Sequence, residues 1–285
     1  MSNPGERRQL RRPDATIHYR VHGPKRAPTV LFLHGATLDR HAWDRQVDAL
    51  DEHYRVVVPD LRGHGESPMV GRFEFEAAVD DVLALLDELD AEPVALVGLS
   101  LGGNIAQEIV YRAPERVDAL VVADATCNTA PRNPLKAPMT IAWLAMLTTM
   151  ISRDHFLQRS AAATAQDELV QQYVMAVNKD RPTAEAVEIL ASLLRSALHP
   201  DANYRLPVST LLIHGDGDTI GDIVHETRAW AAREPLAEYV IVPGAGHASN
   251  QDNPEAFNAE LTAFLARVLP TPGLFLWDRL RRRAS

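Results

Sequence analysis

Short runs of apolar residues alternate along this chain with segments whose apolar residues recur at helical spacing. The runs are Thr29–Leu33, Arg55–Val58, Val94–Val97, Leu120–Ala123, Val208–Ile213 and Tyr239–Val242. A strand covered on both faces has no solvent side to mark with polar residues, so it reads as a continuous apolar stretch. Between and after them, Trp43–Leu50, Phe75–Leu89, Asn104–Arg112, Ile223–Arg233 and Pro254–Val268 read as helices. In Phe75–Leu89, residues Ala78, Val82, Leu85, Leu86 and Leu89 fall on one stripe. Strand, helix, strand in this order predicts an α/β fold, a mostly parallel sheet covered by helices on both faces. Ala15–His22 alternates loosely and stops at Gly23-Pro24, which reads as one more strand and a turn. Residues 1–14 read as a disordered or edge lead-in.

One segment breaks the alternation. From Thr126 to Leu206 there is no good strand. Pro131, Pro134 and Pro138 open it, and helical pieces follow at Thr140–Met150, Ala165–Asn178 and Thr183–Ser196. A helical insertion is therefore expected between the fourth and fifth apolar runs. Its first helix is unusually apolar, with Ile141, Trp143, Leu144, Met146, Leu147 and Met150. It is expected to pack on its neighbours as a lid, or to line an apolar pocket with part of this face, or both.

Composition narrows the class. The chain has 285 residues, 46% hydrophobic and 24% charged, enough for a sizeable core. A net charge of -9 gives no basic footprint for nucleic acid. The single cysteine, Cys127, excludes an intramolecular disulfide framework and fits a cytoplasmic location; it reads as a small buried hydrophobe. Residues 1–13 lack the apolar core of a secretory signal, and the longest apolar stretch, Met139–Ile151, is too short to cross a bilayer. The tail Leu274–Arg283 mixes large apolar and basic residues and reads as a short terminal helix with a solvated end, with contact to an acidic membrane or partner surface as the alternative. Oligomeric state is not legible.

The chemistry gathers around Gly98-Leu99-Ser100-Leu101-Gly102, which ends the third run and opens a helix. A serine between two glycines at a sharp strand-to-helix turn is held exposed at the end of the sheet, and is a candidate nucleophile in that context. A serine hydroxyl needs a base, and the base needs a carboxylate to fix its tautomer. Of eleven histidines, only His247 follows the last run in a glycine-rich loop, Pro243-Gly244-Ala245-Gly246-His247. His34 is expected to shape the loop after the first run, and His64 is read as structural. His18, His22, His41, His53, His155, His199 and His225 carry no suggestive spacing. For the acid, His214-Gly215-Asp216-Gly217-Asp218 follows the fifth run, and Asp218 is favoured, with Asp216 as a turn former. Asp124, at the end of the fourth run, stays open as a third option, and Asp60 is expected to tie down its own loop. Two N–H donors for an oxyanion are expected at Ala36 and Leu101. No G-x-G-x-x-G opens a first β-α unit and there is no P-loop lysine motif. His214-x-Asp216-x-Asp218 has no partner cluster to make it a metal site. No metal and no organic cofactor is implied.

In order, His34-Gly35, Trp43, Asp60-Leu61-Arg62-Gly63-His64-Gly65-Glu66-Ser67, Gly98-Leu99-Ser100-Leu101-Gly102-Gly103, Gly215-Asp216-Gly217-Asp218 and Gly244-Ala245-Gly246-His247 make the chain resemble the α/β-hydrolase superfamily, in its cap-bearing branch. The resemblance covers about residues 15–269. It implies an α/β-hydrolase core at 15–125 and 207–270, a helical cap at 126–206 inserted before the acid-bearing strand, and terminal extensions at 1–14 and 271–285. It also implies a catalytic triad of Ser100, Asp218 and His247, with Ala36 and Leu101 as the oxyanion hole. Small apolar esters or lactones, as in carboxylesterases and enol-lactone hydrolases, are the implied substrates. Carbon–carbon bond hydrolases, aminopeptidases and cofactor-free haloperoxidases are similar in the same motifs, and a non-catalytic binding member of the fold is the alternative of another class. A serine nucleophile, in place of aspartate, sets the chain apart from the dehalogenase and epoxide hydrolase branches.

Overall fold

The computed structural model describes residues 4–90, 93–131, 133, 135–197 and 199–269. The tail Leu274–Arg283 lies outside the described residues. The strands are β1 (Glu6–Arg11), β2 (Thr16–His22), β3 (Thr29–Leu33), β4 (Arg55–Pro59), β5 (Val94–Leu99), β6 (Val117–Ala123), β7 (Ser209–Gly215) and β8 (Ala237–Val242). They form one sheet in the order β1-β2-β4-β3-β5-β6-β7-β8. β1 and β2 are antiparallel to their neighbours, and the remaining pairs are parallel.

The helices are α1 (Asp44–Leu50), α2 (Phe75–Leu89), α3 (Leu101–Arg112), α4 (Lys136–Met150), α5 (Arg153–Thr164), α6 (Glu168–Val177), α7 (Thr183–Ser196), α8 (Ile223–Arg233), α9 (Ser249–Asp252) and α10 (Pro254–Val268). The pleat of β3 explains its unbroken apolar run. Leu31 and Leu33 join a core with Val82, Leu85 and Leu86 of α2 and Ile105 and Ile109 of α3. Val30 and Phe32 point the other way, into a second core with Trp43 and with Phe257, Leu261 and Phe264 of α10. Side chains of one strand alternate faces, so both must be apolar when both are covered. The mostly parallel sheet flanked on both faces agrees with the pattern read from the sequence.

One element settles an open reading and another departs from it. β1 is an ordered edge strand, the edge alternative for the lead-in, paired residue for residue with β2 from Glu6↔Val21 to Arg11↔Thr16. Four of its six residues are charged, as suits a strand that pairs on one side only and is largely exposed. α5 was not expected as a helix. Only Ala161 in it is buried, so it carries little apolar periodicity. Four helices, α4 to α7, lie between β6 and β7. α7 is anchored, with Ile189 in the core and Ser192 Oγ accepting the N–H of Phe75 at 2.9 Å. α4 has no buried residue. Of its apolar side chains, Trp143, Met146 and Met150 are exposed, while Ile141, Leu144 and Leu147 are half-buried. So α4 sheds half of the apolar face expected to pack. Among the described residues no helix is long and apolar enough to cross a membrane.

Candidate active site

Parallel strands deliver their following loops to one edge of the sheet. β5, β6, β7 and β8 are consecutive neighbours, so the residues just after them converge. These are Ser100, Asp124, Asp218 and His247.

Ser100 sits between β5 and α3 with φ 51° and ψ -117°, a left-handed backbone for a non-glycine residue. Such strain persists only where the surroundings enforce it. Here the flanking glycines do. A Cβ on Gly98 would lie 2.3 Å from the Gly102 carbonyl oxygen, and one on Gly102 would lie 2.0 Å from that of Leu33. Two side chains at these positions would force the strand and helix apart. The Ser100 N–H donates to Ala123 O at 2.9 Å, and the Asn104 N–H donates to Ser100 O at 3.0 Å, which starts α3 directly behind the serine.

His247 and Asp218 form a buried pair. His247 Nδ1 donates to Asp218 Oδ2 at 2.9 Å, with the two side chains 8% and 0% exposed. Asp218 also accepts the Ile220 N–H through Oδ1 at 2.8 Å. Fixing the proton on Nδ1 leaves Nε2 as the nitrogen able to take a proton. Burial pulls the His247 pKa down, but the hydrogen bond and charge of Asp218, helped by Asp124, outweigh it and raise it above the ordinary histidine value. Among the described residues, Ser100 Oγ and His247 are not joined by a hydrogen bond; such contacts commonly tighten only around substrate.

The other candidate acids are engaged elsewhere. Asp216 Oδ1 accepts the Ala245 N–H at 3.3 Å, tying its turn to the histidine loop. Asp124 Oδ1 accepts the Gly215 N–H at 2.9 Å, and its Oδ2 accepts the Ser249 hydroxyl. Asp60, fully buried, accepts the N–H groups of Arg40 and Glu66, each at 2.8 Å, and pairs with the Arg40 guanidinium.

The loop after β3 is braced by two neutral histidines. His34 Nδ1 donates to Gly35 O at 2.8 Å and its Nε2 accepts the Leu61 N–H at 3.0 Å. His64 Nδ1 donates to Arg62 O at 2.9 Å and its Nε2 accepts the Thr37 N–H at 3.1 Å. Because Nε2 accepts in both rings, both are held as the Nδ1–H tautomer. Burial depresses both pKa values, that of His64 strongly. His64 thereby props Thr37, whose φ is 61°, directly after Ala36. Gly35 lies close enough to Ser100 that a Cβ there would sit 3.5 Å from the serine Cβ. Among the described residues the N–H groups of Ala36 and Leu101 have no protein acceptor.

A sequence model of the alpha/beta hydrolase family matches residues 30–260. The chain belongs to the alpha/beta hydrolase family. This hydrolase is 25% identical over 256 residues to 3-oxoadipate enol-lactonase 1 of Acinetobacter baylyi, covering 89% of this chain and 94% of that one. It is 26% identical to the pimeloyl-[acyl-carrier protein] methyl ester esterase of Nitrosospira multiformis, over 83% of this chain and 94% of that one. The solved structure of a thermophilic esterase from Thermogutta terrifontis superposes with a TM-score of 0.79 at 25% identity, over 93% of this chain and all of that one. The alpha/beta hydrolase is thus an enzyme, with a lactonase and esterases among its relatives.

Reading the sequence missed several residues that hold the site. Asp252 accepts the N–H groups of Gly246 at 2.7 Å and Gln166 at 2.9 Å through Oδ2, and that of Asp167 at 3.0 Å through Oδ1. It binds the loop of His247 to the α5–α6 junction of the inserted helices. Asn178 donates to Thr37 O at 2.9 Å, Tyr173 donates to Asp39 Oδ1 at 2.7 Å, and Arg181 donates to Gly63 O at 3.2 Å. The only local signal for Asp252 was an acid five residues after the histidine. The others carried none, because their partners are more than a hundred residues away.

Proposed function

We propose that this hydrolase cleaves small, fairly apolar carboxylic esters or lactones through an acyl-enzyme. His247 Nε2 takes the proton of Ser100 Oγ as that oxygen attacks the carbonyl carbon. The carbonyl electrons move to the oxygen, which is held by the N–H groups of Ala36 and Leu101. The tetrahedral intermediate collapses, His247 returns the proton to the leaving oxygen, and an ester joins the acyl group to Ser100. Water, deprotonated by His247, then attacks that ester and releases the carboxylic acid. For a lactone both halves stay in one hydroxy acid. Asp218 holds the imidazole and stabilises its protonated form. Residues 126–206 act as the cap over this site, and residues 15–125 with 207–270 as the catalytic core.

The observation that carries this reading is the buried hydrogen bond from His247 Nδ1 to Asp218 Oδ2, at the same sheet edge as a serine in a strained, glycine-flanked turn. An enol-lactonase and a methyl ester esterase among the relatives agree with oxygen-ester chemistry. A fluorophosphonate probe is expected to label Ser100, and Ser100→Ala is expected to fold normally, escape labelling and lose at least about a thousandfold in kcat on the best ester or lactone of a mixed acyl panel. Wild-type turnover by Ser100→Ala overturns the reading.

A further inference from the structure

The end of β6 touches all three segments that carry the proposed catalytic groups. The Ala123 carbonyl accepts the Ser100 N–H at 2.9 Å. The next residue, Asp124, is 1% exposed and gives one carboxylate oxygen to each of the other two segments. Oδ1 takes the N–H of Gly215, three residues before Asp218. Oδ2 takes the hydroxyl of Ser249, two residues after His247. The backbone is committed as well, with the Asp124 N–H on Ile213 O at 2.9 Å. Asp124 also has φ 47°, a conformation that suits glycine and that an aspartate adopts at a cost.

A buried carboxylate without a cation beside it is expensive. Burial, and then the charge of Asp218, push Asp124 up to about 8, against the opposing pull of His247, Ser249 and the Gly215 N–H. Asp218 and His247 are the titratable groups that face it. The chain keeps this group at the convergence of three loops although it does not bond to the base.

We infer that Asp124 is a positioning residue, a brace that sets the loops of Asp218 and His247 against each other and both against Ser100. The inference rests on the serine-hydrolase reading above. It differs from a role as triad acid, because Asp124 acts through the backbone of Gly215 and the hydroxyl of Ser249. Asparagine has the same shape and is neutral. Its oxygen can take the Gly215 N–H and its amide can reach Ser249, so it should preserve the brace, and alanine should remove it.

The test uses the full chain with Asp124→Ala, Asp124→Asn, Ser249→Ala and Ser100→Ala. The readouts are steady-state kinetics on the best ester, the rate of fluorophosphonate labelling and the pH profile of kcat/KM. Loosened orientation of the reacting groups costs on the order of tenfold to a hundredfold, so Asp124→Ala is expected to lose that much in kcat and in labelling rate with KM within about twofold. Its acid limb should move to lower pH, because a slack Asp218 supports the protonated His247 less and the direct contribution of Asp124 is lost with it. Asp124→Asn should recover kcat to within about fivefold, and Ser249→Ala should lose about threefold to tenfold. A folded Asp124→Ala with wild-type labelling rate and acid limb overturns the inference, as does Asp124→Asn failing as badly as Asp124→Ala. If Asp124→Ala does not fold, Ser249→Ala decides, and a wild-type rate there overturns it. Turnover by Ser100→Ala instead removes the serine-hydrolase reading itself, and the brace with it.

Discussion

The inserted helices divide into a part tied to the site and a part that is not. The junction before α6, α6 itself and the turn after it make polar bonds to three loops of the sheet edge. Gln166 and Asp167 bond to Asp252, Tyr173 to Asp39, Asn178 to Thr37 and Arg181 to Gly63. α4 makes hydroxyl bonds within its own turns, at Thr140, Thr148 and Thr149, and one ion pair near 3.7 Å between Lys136 and Glu226. It rests on α7 and leaves Leu135, Met139, Trp143, Met146 and Met150 between 52% and 71% exposed. One half is registered against the loops that would hold the oxyanion and the base. The other half touches none of them through a side-chain hydrogen bond among the described residues. Sites need precision where charge develops and tolerance where substrates differ. On the cap reading proposed above, the division of the insertion follows that need.

The largest break in this comparison is expected from Asp252→Ala. It orphans the N–H groups of Gly246, Gln166 and Asp167 in one step and leaves the His247 loop held to the insertion through the Ala248 N–H on Thr164 O. Unsatisfied buried donors cost about 1–3 kcal/mol each, though those at this partly exposed junction regain water, so a total loss of about 2–3 kcal/mol is expected by denaturant melts. A fall in kcat of about a hundredfold should accompany it. Equal kcat in wild type and variant would show that the strap does not register the base.

His64→Leu comes next. It removes the acceptor of the Thr37 N–H while keeping an apolar filler, so the loop of Ala36 should slacken. The expected loss is about tenfold in kcat with little change in KM, since an oxyanion donor acts in the transition state. An intact kcat would show that Thr37 holds its geometry without the histidine.

The loops to which that half is tied set two responses to pH, of opposite origin. His247 must be neutral to accept a proton, and its pKa is raised. Activity should therefore fall as pH drops through a midpoint above the ordinary histidine value of about 6.5. His34 and His64 are depressed in the folded state. Below about pH 6.5 the unfolded chain binds protons at these rings that the folded chain refuses, so their contribution to stability, complete above that pH, is lost as pH falls. A pH–rate profile and a pH series of thermal melts should separate the two, and a midpoint for activity below 6 would contradict the Asp218 pairing.

The smallest effects belong to α4. Trp143→Gln and Met146→Gln change exposed side chains and should move stability by no more than about 0.5 kcal/mol, with kcat on the smallest esters unchanged. If these variants unfold the chain, or abolish turnover of every substrate, the division between the two halves is wrong.

What could be read from the chain depended on where the information lies. α2, α7, α8 and α10 were legible to the residue, because each buries one stripe and caps at a polar or proline position. α5 was not, because one buried alanine leaves no stripe, and β1 was legible only as an edge or disordered lead-in, because an exposed strand rich in Glu, Arg and Gln has no apolar signature to choose between them. Ser100, Asp218 and His247 stood out through glycines and strand ends beside them. The bonds from Asp124 to Gly215 and Ser249, from His64 to Thr37 and from Asp252 to Gln166 join loops whose relative register no local pattern encodes.

β1 also bears on how copies of this protein meet in a crowded solution. A sheet edge offers a row of unpaired N–H and C=O groups that can template strand addition from another chain. Here that edge carries Glu6, Arg7, Arg8 and Arg11, with Arg8 paired to Glu6 and Arg7 to Glu66. Any incoming strand would have to strip water from these charges before its backbone could dock. The charges of the polar lead-in thus make strand addition at this edge of the sheet costly.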